Sequence, residues 1–238
     1  MPLLRLEEVG VAYPLGRGWR RRRLHWALES VSLELYRGET LGVVGRNGVG
    51  KTTLLKLIAG IIAPDRGRIF NRGARVSMLS LQVGFVPQLT GRENAILSGM
   101  LLGAPRRRLE AAMERIAAFA ELEDFIDQPV AGYSAGMKAR LGFAVALEAD
   151  PEVMLIDEVL GVGDAAFRRK SAAAMRERIR SDRTVILVSH NPGMLRRLCD
   201  RVVWIEAGRT RMAGPPEEVL AAYEAALEPA SKAPSAGP

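Results

Sequence analysis

The 238-residue sequence predicts an α/β fold with a parallel-sheet core, an antiparallel β subdomain and an inserted helical lobe. Three observations lead there. Three short apolar runs, Thr40–Val44, Val153–Ile156 and Thr184–Val188, each end abruptly on glycine, on acid or on Ser-His, as buried parallel strands do. The segments that follow them carry helical period, so strands and helices alternate. A block from about 90 to 150 is helical throughout and interrupts that alternation.

Each element has its own local reason. Residues 3–13 alternate and read as an edge strand, and residues 14–27 as a loop rich in Gly, Arg and Trp. Ser30-Val31-Ser32-Leu33-Glu34-Leu35-Tyr36 has the period of a half-buried strand, and Arg37-Gly38-Glu39 turns the chain into the run Thr40–Val44. Thr52–Ala59 predicts a helix stopped by Gly60. Pro64-Asp65-Arg66-Gly67 is a turn, with short strands near 68–70 and 75–81. Thr90-Gly91-Arg92-Glu93 has capping-box spacing and opens a helix to about Leu102. Arg107–Phe119 and Gly136–Ala149 are further helices, the second stopped before Pro151. Ala165–Arg180 predicts the helix between the last two parallel strands. Arg201–Glu206 and Thr210–Ala213 flank the turn Ala207-Gly208-Arg209, and a last helix runs from Pro215-Pro216 to near Leu227. One domain is expected over 1–228, with 229–238 as a disordered tail.

Composition excludes several classes. With 48% apolar and 26% charged residues, the chain is too apolar for a disordered protein. Cys199 is the single cysteine, so a disulfide scaffold is excluded and a reducing compartment expected. One Cys with two His, His25 and His190, cannot build a zinc cluster. No apolar run approaches the ~18 residues of a membrane span. The charge at Arg5, Glu7 and Glu8 comes too early for a signal peptide. The net charge of +7 rests on 29 Arg against 5 Lys, and five of those Arg, Arg17 and Arg20, Arg21, Arg22 and Arg23, fall in one short stretch. By composition alone, this balance fits nucleic acid, a membrane surface or one basic loop.

The segment Gly45-Arg46-Asn47-Gly48-Val49-Gly50-Lys51-Thr52, followed by Thr53, matches the P-loop pattern between a strand and a helix and marks the core as a P-loop NTPase. A helix N-terminus offers unpaired N–H groups and partial positive charge, and glycines let the backbone wrap a phosphate closely. Lys51 is placed to bridge the β- and γ-phosphates of ATP, and the Thr52 hydroxyl to bind Mg²⁺. Such a loop needs a carboxylate on a neighbouring strand. Val153-Met154-Leu155-Ile156-Asp157-Glu158 supplies two acids at the carboxyl edge of a buried strand. Asp157 is expected to orient Mg²⁺ and Glu158 to polarise the attacking water. The bland alternative is that one of the two caps the next turn. His190, just past another buried strand, is within reach of a γ-phosphate, whereas His25 has no such context.

These residues resemble the nucleotide-binding subunit of an ATP-binding-cassette transporter over about residues 3–225. The family signature reads Leu-Ser-Gly-Gly-Gln, and the matching segment is Tyr133-Ser134-Ala135-Gly136-Met137, which keeps Ser134 and Gly136 and loses the first glycine and the glutamine. The resemblance implies that Ser134 and Gly136 meet the γ-phosphate bound to a partner subunit. It implies that Tyr13 stacks on adenine, with a plain core aromatic as the alternative. It also implies that Gln88 links Mg²⁺ and water to the membrane partner, with Gln82 as the rival, and that Asp164 crosses the dimer interface. Tyr133–Leu141, Asp157–Asp164, Leu89–Asn94 and His25–Leu28 look like the branch that exports O-antigen, capsular polysaccharide and teichoic acid. Some members of that branch carry a C-terminal glycan-binding module, which this chain is expected to lack.

The implied mechanism is a homodimer that sandwiches two ATP molecules, closes on binding and reopens after hydrolysis. It drives a separate transmembrane permease from the cytoplasmic face of a bacterial inner membrane, as a peripheral subunit. Branch relatives also carry a basic insertion where Arg17–Arg23 lies here. Contact of Arg20, Arg21, Arg22 and Arg23 with anionic lipid or with the pyrophosphate of a lipid-linked glycan stands beside a passive solvated loop. A cassette for drug or lipid export, or for import, is the alternative. A DNA-maintenance ATPase would separate Lys51 from Ser134 by a long coiled coil, and a ribosome-associated factor would carry two cassettes. No nucleic-acid partner is therefore expected.

Overall fold

The parallel strands are short because both of their faces are covered. In the computed structural model, which describes residues 1–15, 23–78, 84–157 and 164–227, β3 (Thr40–Val44) and β7 (Thr184–Val188) are buried at every position. β6 (Val153–Asp157) is buried until its last residue. β3 pairs in parallel with β7 and with β8 (Arg201–Glu206), and β6 pairs in parallel with β7 and with β5 (Val76–Met78). The other half is antiparallel: β1 (Leu4–Leu15) pairs with β2 (Arg23–Leu35) and with β4 (Arg66–Asn71). β9 (Arg209–Gly214) joins the halves, antiparallel to β8 and bridged to β2 at Ser30 and Arg209. Among the described residues the sheet order is β4-β1-β2-β9-β8-β3-β7-β6-β5.

Helices cover the sheet and build the lobe. α1 (Lys51–Ile58) follows β3 and buries Leu54, Leu55, Leu57 and Ile58 in one core with Leu4, Leu6, Val9 and Val11 of β1 and Leu28, Val31, Leu33 and Leu35 of β2. The lobe consists of α2 (Gly91–Leu101), α3 (Arg106–Ala120) and α4 (Ala135–Ala149), with a core of its own around Leu109, Ile116, Leu122, Leu141 and Val145. α2 starts on the expected capping box: the Thr90 hydroxyl accepts the Glu93 N–H at 3.2 Å and the Glu93 carboxylate accepts the Thr90 N–H at 2.8 Å. Lobe and sheet meet through α5 (Ala165–Arg180). There Phe119, Phe143 and Phe167 pack with ring centroids 5.8–6.1 Å apart, one ring each from α3, α4 and α5. α6 (Pro192–Leu198) and α7 (Pro216–Leu227) complete the chain.

Three expectations need correction. Residues 3–13 are not an edge strand, because β1 is paired on both sides and the edge falls to β4. Alternation shows that one face of a strand is buried but says nothing about how many neighbours it has. Residues 14–27 are not all loop. Pro14 pairs with Leu24, Tyr13 with His25 and Ala12 with Trp26, so both strands run well into the Arg- and Trp-rich segment. Cross-strand pairing overrides the loop-like composition there. The seven-residue α6 was not anticipated, although Asn191 caps it by accepting the Met194 N–H at 3.0 Å and Pro192 opens it. The expected strand 75–81 is the short β5, with 79–83 outside the described residues. The expected tail, 229–238, also lies outside them.

Candidate active site

β3, β7 and β6 are neighbours in parallel, so the residues after each of them emerge at one edge of the sheet. Gly45 and His190 stand there, each two residues beyond the paired Val43 and Val188, while Asp157 lies opposite Val188 itself. A carboxyl edge where strands diverge into loops is where ligands bind in open α/β sheets.

The loop from Gly45 to Gly50 folds around its own backbone. Gly50 takes φ +97°, and a Cβ there would lie 2.3 Å from the Ala27 carbonyl oxygen of β2. A Cβ on Gly45 would lie 2.4 Å from the Ile205 carbonyl oxygen of β8. These two glycines are required by the close passage of β2 and β8, whatever the loop binds. α1 then begins at Lys51, and among the described residues no side chain caps its N-terminus, which leaves its first amides directed at the loop. Lys51 is buried, and its ammonium donates to the Gly45 carbonyl at 2.7 Å and the Arg46 carbonyl at 3.0 Å.

At the second residue of α1, the Thr52 hydroxyl donates to Asp157 Oδ2 at 3.1 Å. This bond joins two segments 105 residues apart in the chain and places the hydroxyl and the carboxylate side by side. Asn47, Gly48, Gly50, Lys51, Thr52, Thr53, Asp157 and Ala27 line a cleft of about 380 Å³. Hard oxygen donors beside an uncapped helix N-terminus and a lysine suit a phosphate with a small divalent cation.

A second cleft, of about 450 Å³, is lined by Ser134, Ala135, Gly136, Met137, Ala139, Arg140 and Asp164. Among the described residues it shares none with the first. Ser134 caps α4, its hydroxyl accepting the Met137 N–H at 3.1 Å. Asp164 caps α5, accepting the Ala166 and Phe167 N–H groups at 2.9 Å each. Those two amides hold the Asp164 carboxyl below the usual carboxylate range. The signature segment and the acidic loop, 28 positions apart between Gly136 and Asp164, therefore form one surface.

The remaining expected residues are placed as follows. His190 is exposed directly after β7; the preceding Ser189 is buried and its hydroxyl accepts the Asn191 N–H at 3.1 Å. Tyr13 is 41% exposed on β1 opposite His25 and does not line either cleft. Gln88 is exposed in the segment before α2. That segment is held by a residue to which sequence reasoning assigns no role beyond its place in the Leu89–Asn94 branch segment: the fully buried Asn94. Its Oδ1 accepts the Val86 N–H at 2.7 Å, and its amide reaches the Val86, Leu89 and Thr90 carbonyls at 2.9–3.0 Å. An asparagine between the polar start of the helix and the apolar run Ala95-Ile96-Leu97 was the available signal. Glu158, Gln82 and the Arg17–Arg23 stretch lie outside the described residues, apart from the backbone of Arg23 in β2. Among the described residues no helix is long and apolar enough to cross a membrane.

Residues 28–161 match the family model of the ABC transporter, more than half of the chain and the whole stretch from β2 past Asp157. The chain belongs to the ABC transporter family. It is 42% identical over 237 residues to the ABC transporter protein AbcA of Aeromonas salmonicida, covering 95% of this chain and 77% of that one. It is 45% identical over 205 residues to the O-antigen export system ATP-binding protein RfbB of Klebsiella pneumoniae, covering 86% and 83%. It is 41% identical over 210 residues to the teichoic acids export ATP-binding protein TagH of Lactococcus lactis, covering 88% of this chain but 45% of that one. The fold is that of solved cassettes. An ATP-binding subunit of an ABC transporter superposes with a TM-score of 0.73 at 23% identity, covering 93% of each chain. A dimeric ATP-binding cassette in a post-hydrolysis state bound to ADP and Pi superposes with a TM-score of 0.69 at 23% identity, covering 90% of this chain and 98% of the other.

Proposed function

We propose that this chain is the ATP-hydrolysing subunit of an exporter for a lipid-linked cell-surface polysaccharide. It works in pairs at the cytoplasmic face of the bacterial inner membrane, against a separate permease. One observation carries the chemistry: the Thr52–Asp157 hydrogen bond that brings the glycine loop and the acidic strand end into one cleft. The export relatives support the transported class.

In this reading the α1 amides and Lys51 hold the β- and γ-phosphates, and Thr52 with Asp157 holds Mg²⁺. Bound Mg²⁺ supplies charge neutralisation on the phosphate oxygens. Glu158 accepts the proton of the attacking water, and His190 faces the γ-phosphate from the neighbouring strand end. Gln88 reports the state of the site toward the permease, and Tyr13 supports the adenine. Ser134, Gly136 and Asp164 of one chain complete the site of the other, so hydrolysis needs two chains. The basic stretch Arg20–Arg23 meets anionic headgroups or the pyrophosphate of the glycan carrier, where each charge is worth about 1 kcal/mol.

Reconstitution with the permease in proteoliposomes tests this. Lipid-linked glycan should stimulate ATP turnover; unchanged turnover across O-antigen, capsule and teichoic-acid precursors would remove the assigned cargo. Glu158→Gln should retain ATP binding, lose turnover by about a hundredfold or more and accumulate a closed dimer. Replacing Arg20–Arg23 by Ala should leave basal turnover intact and weaken vesicle binding or export; if both survive, the basic stretch is passive.

A further inference from the structure

Two lobe helices end on a residue that local physics disfavours twice. α3 stops at Glu121 with φ 57° and α4 stops at Asp150 with φ 49°. Left-handed backbone suits glycine there, and a carboxylate faces the negative end of the helix dipole. Tertiary contacts explain both. Glu121 is held by Arg140 of α4 at 2.9 Å and Lys170 of α5 at 3.1 Å, on an open surface. The Asp150 side chain is only 7% exposed and gathers three arginines: Arg183 before β7 at 2.7 Å, Arg108 of α3 at 3.0 Å and Arg178 of α5 at 3.3 Å.

The Asp150 cluster joins the lobe to the rest of the molecule. Arg108 and Asp150 belong to the lobe, and Arg178 and Arg183 to the sheet and its covering helix. Three guanidinium groups around one carboxylate leave an excess of positive charge, so without Asp150 they would repel one another. Among the described residues Asp150 Oδ1 accepts no hydrogen bond beyond its ion pair with Arg178, and Arg178 Nε donates none, although both are buried. Unsatisfied buried groups persist where the surrounding structure fixes them.

α4 is a rigid connection from this cluster to the second cleft. Its 15 residues span about 22 Å, with Asp150 at one end and Ser134 and Gly136 at the other. The Phe119–Phe143–Phe167 contact supports its middle. A tilt of about 10° at the Asp150 end would move the far end by about 4 Å, several times the ~1 Å misplacement that can cost a catalytic site most of its rate.

We infer that Asp150 is a positioning residue: by gathering Arg108, Arg178 and Arg183 it fixes the tilt of α4 and so where Ser134 and Gly136 meet nucleotide on a second chain. This rests on the proposed two-chain site. The test uses the full-length chain carrying Glu158→Gln, with Asp150→Asn or the milder Arg183→Gln added. Fluorescent ATP-analogue binding at low protein concentration reads the first cleft, and ATP-driven dimerisation by sedimentation reads the second. Asp150→Asn should leave analogue affinity within about twofold and weaken dimerisation by about tenfold, with Arg183→Gln smaller in the same direction. In chains with native Glu158, kcat should fall while KM is kept. Unchanged dimerisation, or dimerisation and analogue binding falling by the same factor, overturns the inference. Gly136→Glu separates the two ideas: if it leaves dimerisation intact, the two-chain reading fails. If it abolishes dimerisation while Asp150→Asn does not, only the positioning role fails.

Discussion

The two clefts use glycine and polar groups in opposite ways. In the first, Gly50 and Gly45 are demanded by the chain itself, because a Cβ on either would strike a backbone oxygen at 2.3–2.4 Å. Its polar groups also engage one another, Lys51 with the loop carbonyls and Thr52 with Asp157. In the second, a Cβ on Gly136 would meet only Ser134 Oγ at 3.7 Å among the described residues, an ordinary contact. Ser134 and Asp164 are satisfied by the first amides of their own helices. The first cleft is thus built and held by contacts within one chain. The second has no internal reason for its glycine and its shape, which suits a surface completed by another molecule.

Three experiments break or sharpen that contrast. The largest effect is expected from Lys51→Ala, which removes the only ammonium lining the first cleft among the described residues and should lower ATP affinity of the single chain by about a hundredfold, read by equilibrium dialysis. Retained affinity would mean that the amides alone suffice. Next is Gly136→Glu. It fits sterically and places an acid in the first turn of α4, where the helix dipole favours it, so thermal stability should be kept or slightly raised. Turnover should nevertheless fall by about tenfold or more, because in the proposed two-chain site the new charge would face phosphate bound to the other chain. A variant that melts early would show that Gly136 serves the fold instead. The smallest effect concerns Asp164, whose carboxyl is held low by the Phe167 and Ala166 amides. A depressed pKa contributes stability that is present above the unfolded value and is lost as pH falls through the folded one. The melting difference between the native chain and Asp164→Asn should therefore be flat from pH 8 to pH 5 and change only below about pH 4. A difference that varies near neutrality would point to another group.

The parallel half of the fold was legible because each strand is an apolar run that ends on the residue it presents: Val44 before Gly45, Ile156 before Asp157 and Val188 before Ser189 and His190. The antiparallel half was less so. β1 alternates, but alternation cannot reveal that β4 closes its outer side, and Arg-rich composition masked the pairing of Tyr13 with His25. The same limit applied to Asn94, whose four partners are backbone groups that composition does not display.

By itself the sequence determined the P-loop, the acidic strand end and the helical lobe, because each follows from neighbouring residues: periodicity, capping spacing and glycine placement. Tertiary structure alone decided that Thr52 donates to Asp157, that Ser134 and Asp164 share a cleft, and that one buried carboxylate at Asp150 gathers three arginines from distant segments. Left-handed acidic helix ends are locally unfavourable, so local rules argue against them. They become stable only once long-range ion pairs exist, and those pairs exist only in the folded chain.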